Sequence, residues 1–357
     1  MRVVVTGGAG FIGANLCRAL AEDPAVDEVV AFDNLSTGHR HNLASIDGVR
    51  LVEGSILEAA LLDQVFEGAD AIVHLAARPS VPRSLSDPMA SHLTNATGTM
   101  EVLEAARRGS RPHILVASSS SVYGANPTLP KREDMAPMPA SPYAAGKLAA
   151  EAATLAYGRS FDLPVLAFRF FNVFGPLQGA GHAYAAVVPA FVDAALRGDP
   201  LPVHGDGHQT RDFTYVGSVV AVLHDAIRRR VTDPEPVNLA FGTRVSLLEL
   251  IELLEKLIGA PLPRHHTESR PGDVRDSQAD QTRVRRLFPD TEPVGLEAGL
   301  RATVEWFEGN ACPPFPDLPS PDPTFPARPD HEPGSSVTEG GLTATGQARR
   351  TLPVRQM

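Results

Sequence analysis

Two residues of unlike chemistry stand four positions apart in the segment Ser141-Pro142-Tyr143-Ala144-Ala145-Gly146-Lys147. On a helix, Tyr143 and Lys147 share one face. An ammonium beside a phenol favours the phenolate and lowers its pKa from about 10, which makes the tyrosine a usable base near neutral pH. The plain alternative is a surface helical pair. The chain has 5 Tyr and only 3 lysines (Lys131, Lys147, Lys256), so this spacing is rarely met by chance. Upstream, a strand-like run ends in Ser118-Ser119-Ser120-Ser121 before Val122-Tyr123-Gly124. A hydroxyl at the carboxyl end of a parallel strand can hydrogen-bond a reacting oxygen, but four serines can equally form a polar turn.

A second constellation opens the chain. The run Val3-Val4-Val5 leads into Thr6-Gly7-Gly8-Ala9-Gly10-Phe11-Ile12-Gly13 and then a helical pattern. Gly7 permits a tight turn, Gly10 lets backbone approach a pyrophosphate, and Gly13 allows close helix–strand packing. The helix N-terminus adds amides and partial positive charge. A second strand, Val29-Val30-Ala31-Phe32, ends in Asp33-Asn34. A carboxylate there pairs with ribose hydroxyls and repels a 2′-phosphate, favouring NAD over NADP.

These groups need a scaffold that brings strand ends together. Strand patterns at Arg2–Thr6, Glu28–Phe32, Arg50–Glu53, Ala71–Leu75, His113–Ser118 and Pro164–Phe170 alternate with helical ones at Ile12–Glu22, Leu57–Phe66, Met100–Arg108 and Tyr143–Tyr157. That rhythm predicts an α/β fold with a Rossmann-type, doubly wound parallel sheet. From Val173 the strands thin out, and helices are expected at Ala185–Leu196, Val216–Arg228 and Leu247–Ile258. Residues 1–172 are read as a dinucleotide-binding domain and 173–308 as a smaller α/β domain interleaved with it. Residues 311–357 hold 10 prolines and few aliphatics, which predicts a disordered tail.

Composition narrows the function. A net charge of -10 argues against nucleic-acid binding, which usually needs a basic face. No apolar run is long enough to span a bilayer, and the N-terminus lacks signal-peptide character, which implies no membrane partner and a cytoplasmic location. Cys17 and Cys312 suggest no disulfide framework. His39/His41 and His265/His266 lack further ligands at metal spacing, so no metal site is expected.

Over residues 1–308 the chain resembles the extended short-chain dehydrogenase/reductases, specifically the NAD-dependent nucleotide-sugar epimerases acting on UDP-galactose and UDP-N-acetylglucosamine. The resemblance rests on the glycine run, Asp33-Asn34-Leu35, His74-Leu75-Ala76-Ala77, Ser118 to Gly124 and the Tyr143/Lys147 pair. Arg169 to Pro176, Gly205 to Phe213 and Arg270-Pro271-Gly272-Asp273 complete it.

Matched position by position, it makes Ser119 the catalytic hydroxyl beside Tyr143 and Lys147, with Ser118 and Ser120 as alternatives. NAD contacts are implied at Gly7, Gly10, Phe11, Ile12, Gly13, Asp33, Asn34, Ser55, Ile56, Leu75, Ala76 and Ala77. Asn95 is implied to support the architecture beside the cofactor. Asn172, Arg211 and Arg270 are implied at the substrate diphosphate, with Val188, Asp273 and Ser277 elsewhere on the substrate.

Two positions depart from the family: Ser55 stands where an acid often holds adenine, and Ser218 where an acid often follows Val216. Sugar dehydratases and decarboxylases of this group carry acids where this chain has Ser120 and Ser121, which favours epimerisation at C4. Small Ser277 leaves room for a 2-N-acetyl group, so both UDP-glucose and UDP-N-acetylglucosamine are expected substrates. The Ser80-Val81-Pro82-Arg83 loop is expected beside the sugar. The rival readings are a dehydratase, reductase or uronate epimerase, or a non-catalytic NAD-binding regulator. The resemblance also allows a homodimer.

Overall fold

The computed structural model describes residues 1–180, 185–268 and 274–309. Seven parallel strands form the main sheet: β1 (Arg2–Thr6), β2 (Glu28–Asp33), β3 (Val49–Glu53), β4 (Ala71–His74), β5 (His113–Ser119), β6 (Val165–Phe170) and β11 (Val237–Leu239). Their order is β11-β6-β5-β4-β1-β2-β3. The chain winds outward from β1 through β2 and β3, then returns to the other side of β1 at β4. That reversal opens a crevice at the carboxyl ends of β1 and β4, where open α/β sheets bind ligands.

Strand β1 shows why both faces must be covered. Its alternate side chains enter different cores. Val3 and Val5 pack with Leu16 and Leu20 of α1 (Phe11–Ala21) and with Val219, Val220 and Leu223 of α8 (Val216–Arg229). Val4 packs with Leu62 and Phe66 of α2 (Ala59–Phe66) and Val102 and Leu103 of α5 (Gly98–Arg108). All five valine and leucine positions named on β1 and α1 are fully buried. Cys17 is buried on α1, and burial pushes its thiol far up, so it is an inert core group.

Helix α6 (Pro142–Phe161) starts at Ser141, whose hydroxyl accepts from the Ala144 amide at 3.2 Å, with Pro142 in the first turn. It ends at Asp162 in a left-handed conformation. Its buried stripe runs Ala144, Lys147, Glu151 and Thr154. Lysine and glutamate on a helix's inward face are expensive unless their polar groups are met: Glu151 pairs with Arg169, and Lys147 donates to the Ala117 carbonyl.

The second half contains more strand than its sequence suggests. Short pairs join β7 (Val173–Phe174) to β10 (Thr214–Tyr215), β9 (Thr210–Arg211) to β12 (Val245–Ser246), and β8 (Leu201–His204) to β13 (Arg264–Thr267). At two to four residues they are too short to show a period. Strand β11 returns to the main sheet beside β6. Helices α7 (Val187–Arg197) and α9 (Leu247–Ile258) lie close to their expected bounds. Helix α9 carries a full capping box between Ser246 and Glu249. Helix α11 (Leu296–Phe307) was not expected.

The Ser80–Arg83 segment, read as a loop, starts helix α3 (Val81–Ser86); Ser80 caps it and Pro82 fits its first turn. The proline-rich segment lies outside the described residues. No helix among the described residues is long and apolar enough to cross a membrane, and no cluster of three or more His, Cys, Asp or Glu there is placed to hold a metal.

Candidate active site

The glycine turn leaves no room for side chains. Gly7 has φ +70°, and a Cβ on it would stand 2.7 Å from the Ala76 amide nitrogen. A Cβ on Gly13 would sit 2.1 Å from the Gly7 carbonyl oxygen. The turn, α1 and the end of β4 are therefore in direct backbone contact, which only glycine permits.

A buried histidine fixes this junction. His74 Nδ1 lies 2.7 Å from Thr6 Oγ1, and its Nε2 lies 3.0 Å from Thr99 Oγ1. The Thr99 hydroxyl donates to the Asn95 carbonyl at 2.8 Å, so it accepts from Nε2–H and leaves Nδ1 to accept from Thr6. Thr6 Oγ1 in turn accepts from the Ala76 amide at 3.3 Å. Burial, then the charge of Lys147, pushes the His74 pKa down to about 3, so the ring is neutral.

The turn borders a cavity of about 500 Å³ lined by Gly7, Gly10, Asp33, Asn34, Ser55 and Ile56, and by Leu75, Ala76 and Ala77. The buried Asp33 carboxylate accepts from the Ala9 amide at 3.0 Å and the Leu35 amide at 2.8 Å. It is held rigidly at the cavity's edge. Ser55 Oγ accepts from the Leu57 amide at 3.2 Å. Asn95 clamps the Arg78 backbone from both sides, at 2.7 Å to its N–H and 3.1 Å to its C=O. Phe11 packs against the core instead of lining the cavity, and Gly13 lies behind the turn. The open cradle, the N-terminus of α1 and the fixed carboxylate suit a dinucleotide.

A second cavity, about 390 Å³, adjoins the first at Ala77. Ser119, Tyr143 and Lys147 line it, as do Ile12, Val81 and Ser277. The structure separates the four serines. Ser118 is buried and donates to Glu151 at 2.6 Å. Ser119 is half-buried, and its oxygen accepts from the Ser121 amide at 3.1 Å and the Ser121 hydroxyl at 2.9 Å. Its own proton is thereby left for Tyr143, with which it shares a side-chain hydrogen bond.

Burial raises the Tyr143 pKa, and the Ser119 hydrogen bond pulls against that rise. Lys147 donates to the Ala117 carbonyl at 2.8 Å, and burial lowers its pKa to about 8. The sequence expectation of a phenol acidified by its lysine neighbour is thus opposed in the protein by desolvation, which sequence spacing does not register.

The second cavity shares Asn172, Val173 and Arg211 with a third, of about 230 Å³, walled by Val188, Phe191 and Phe213. Asn172 adopts φ +32° at the end of β6 and donates to the Asp212 carbonyl at 3.2 Å. Arg211 donates to the Thr210 and Arg275 carbonyls at 2.8 and 3.0 Å. Arg270 and Asp273 lie outside the described residues. Ser218, where an acid is common, tethers α8 by accepting from the Val294 amide at 2.9 Å.

Sequence reasoning missed the Thr6–His74–Thr99 clamp and the buried Glu151–Arg169 pair, at 2.7 Å. A histidine ending a buried strand, and a glutamate four residues after Lys147, were the available signals.

A dinucleotide cradle leading into a cavity with a serine, tyrosine and lysine defines a class, and the comparisons agree with it. Residues 3–240 match the model of the NAD dependent epimerase/dehydratase family, and the chain belongs to that family. It is 38% identical over 319 residues to a UDP-glucose 4-epimerase of Mycolicibacterium smegmatis, covering 87% of this chain and 100% of that one.

Among solved structures it is similar to a UDP-N-acetylglucosamine 4-epimerase from Methanobrevibacter ruminantium, in complex with UDP-N-acetylmuramic acid. There the TM-score is 0.81 at 32% identity, over 86% of this chain and 98% of that one. It is also similar to a UDP-glucuronic acid 4-epimerase from Bacillus cereus bound to UDP-glucuronic acid and NAD, with TM-score 0.79 and 30% identity, over 87% and 99%. The chain is accordingly an enzyme of the nucleotide-sugar epimerase and dehydratase class.

Proposed function

We propose that the chain is a nucleotide-sugar 4-epimerase that keeps NAD bound through the cycle. The observation that supports this best is the meeting of Ser119, Tyr143 and Lys147 in a cavity that adjoins both the dinucleotide cradle and the pocket beyond Arg211. Residues 1–172 supply the cradle and residues 173–308 most of the outer pocket.

Bound NAD supplies a reversible hydride acceptor, so no external oxidant is consumed. Tyr143 takes the proton of the sugar 4-hydroxyl and returns it once the 4-keto sugar has turned over. Ser119 donates to the phenolate, and it accepts from the sugar hydroxyl in place of one of its two Ser121 bonds. Lys147 holds positive charge behind Tyr143 and ties its helix to β5. Asn172 and Arg211 bind the diphosphate, Arg211 through the charge-assisted contacts a guanidinium makes with phosphate. The third cavity, with Val188 on its wall, takes the base, and UDP is the nucleotide we favour.

Ser120 and Ser121 occupy the positions where a dehydratase needs acids, which favours epimerisation. Half-buried Ser277 leaves space for a 2-N-acetyl group. Assay of the purified protein against UDP-glucose, UDP-N-acetylglucosamine and UDP-glucuronic acid should give C4 epimers of the first two. A 4-keto-6-deoxy product would establish a dehydratase instead. Ser277→Tyr should suppress the N-acetyl substrate selectively; unchanged relative rates would remove Ser277 from substrate choice.

A further inference from the structure

The most deeply buried ion pair among the described residues lies beside this site and has no part in the proton relay. The side chains of Arg169 and Glu151 are 3% and 4% exposed. Arg169 grips the carboxylate with both arms, Nε to Oε2 at 2.9 Å and Nη2 to Oε1 at 2.7 Å. Oε2 also accepts from Ser118 Oγ at 2.6 Å. The guanidinium stacks 4.7 Å from the ring centre of Tyr123, whose hydroxyl donates to Asn238 Oδ1 at 2.6 Å. One network therefore joins α6, β5, β6, β11 and the short turn that follows the serines.

We propose that Glu151 is a positioning residue for the reaction, setting the distance between the Ser119 hydroxyl and the Tyr143 phenol by holding Ser118. This rests on the reading above, in which those two groups work on the substrate. Tyr143, Lys147 and Glu151 stand at four-residue intervals on α6, so one helical stripe carries both the phenol and the carboxylate. Ser118 and Ser119 are neighbours on β5.

Two ties thus bracket Ser119: Lys147 to the Ala117 carbonyl, and Glu151 to Ser118. Stability alone does not account for the second. A buried ion pair is often no better than apolar residues of the same volume, because desolvation offsets its attraction. What an apolar pair lacks is direction. Three short bonds to one carboxylate, one from β5 and two from β6, fix both the rotation and the slide of α6 against these paired strands.

The test compares Ser118→Ala, Ser118→Thr and Glu151→Gln with the wild-type full-length protein, measuring turnover of UDP-N-acetylglucosamine and UDP-glucose. Ser118→Ala removes one bond and leaves the ion pair intact. It should lower kcat about tenfold with KM within about twofold, since small misplacements of reacting groups cost rate before binding. The acid limb of its kcat profile should move to higher pH, because a weaker Ser119 bond leaves the phenol harder to ionise. Ser118→Thr restores the hydroxyl and should restore kcat.

Glu151→Gln puts an amide donor against two donors and should lose about a hundredfold; if it does not fold, the serine pair decides. Wild-type kcat and pH profile in Ser118→Ala overturn the proposal, as does a loss that Ser118→Thr fails to restore. Tyr143→Phe, run alongside, separates the two claims: if it stays active the functional reading fails, and if it is dead while Ser118→Ala is normal only Glu151's role fails.

Discussion

The Lys147 ammonium donates to the carbonyl oxygen of Ala117 at 2.8 Å, two residues before Ser119 on the same strand. The lysine therefore does two things at once: it joins the helix of Tyr143 to the strand of Ser119, and it supplies charge. Burial opposes both ionised forms, pulling the lysine down to about 8 and the phenol up. The phenolate needs every favourable contact it has.

Lys147→Met should consequently lose at least a hundredfold in kcat at neutral pH. Its residual activity should keep rising through and beyond the ordinary phenol value of about 10, because burial holds Tyr143 above that value and the variant has no charge to oppose it. A pH–rate series on the two proteins checks this. A variant whose profile overlays the wild type would mean that the lysine does not govern Tyr143.

Asp33 stands at the cradle's edge with its carboxylate fixed by two backbone amides. A 2′-phosphate there would meet a negative charge that cannot swing away. NAD should bind at least about tenfold tighter than NADP, and Asp33→Ser should narrow that gap. Titration of the dinucleotide-stripped protein with each cofactor measures it; equal affinities in the wild type contradict the assignment.

Gly13→Ala should abolish dinucleotide binding or folding, because its Cβ would lie 2.1 Å from a backbone oxygen that cannot rotate away. Gly48 offers a control for glycine replacement in general. An added Cβ there meets nothing within 4 Å, although φ is +80°. Gly48→Ala should cost only backbone strain, of about 1 kcal/mol. Thermal unfolding with and without NAD compares the two, and equal effects would deny that the turn is sterically closed.

His74 makes acid stability predictable. Its pKa is about 3 in the folded protein against an ordinary imidazole value of 6.5. Between those values the unfolded chain binds the extra proton, so stability falls as pH drops below 6.5 and the loss is complete near 3. At most about 5 kcal/mol is involved. His113, pushed down to about 4 by burial, acts in the same direction. Denaturant unfolding at several pH values should show a shallower acid decline in His74→Gln than in the wild type, and an equal slope would show that the ring titrates normally.

The cradle was legible because its constraints are local. Gly7, Gly10 and Gly13 lie within one turn, and the apolar strands before Gly7 and Asp33 announce a doubly covered sheet. Tyr143 and Lys147 were legible because a helix fixes their spacing. What the sequence hid is tertiary. Choosing Ser119 over Ser118 needed the family resemblance, and only the folded chain shows Ser118 turned toward Glu151, 33 residues away. The direction of the Tyr143 shift depends on burial by distant segments. Strand β11 is three residues long, too short for any periodicity, and becomes strand only by pairing with β6.

The central claim is that Tyr143 moves a proton on and off a sugar oxygen while the hydrogen at C4 never leaves the active site. Proton magnetic resonance of UDP-N-acetylglucosamine and UDP-glucose, incubated with the protein in heavy water, follows both directly. The account predicts the C4 epimers with ordinary hydrogen retained at C4, and no epimer from Tyr143→Phe although that variant still carries its dinucleotide. Deuterium at C4, or near-normal turnover by Tyr143→Phe, would contradict it.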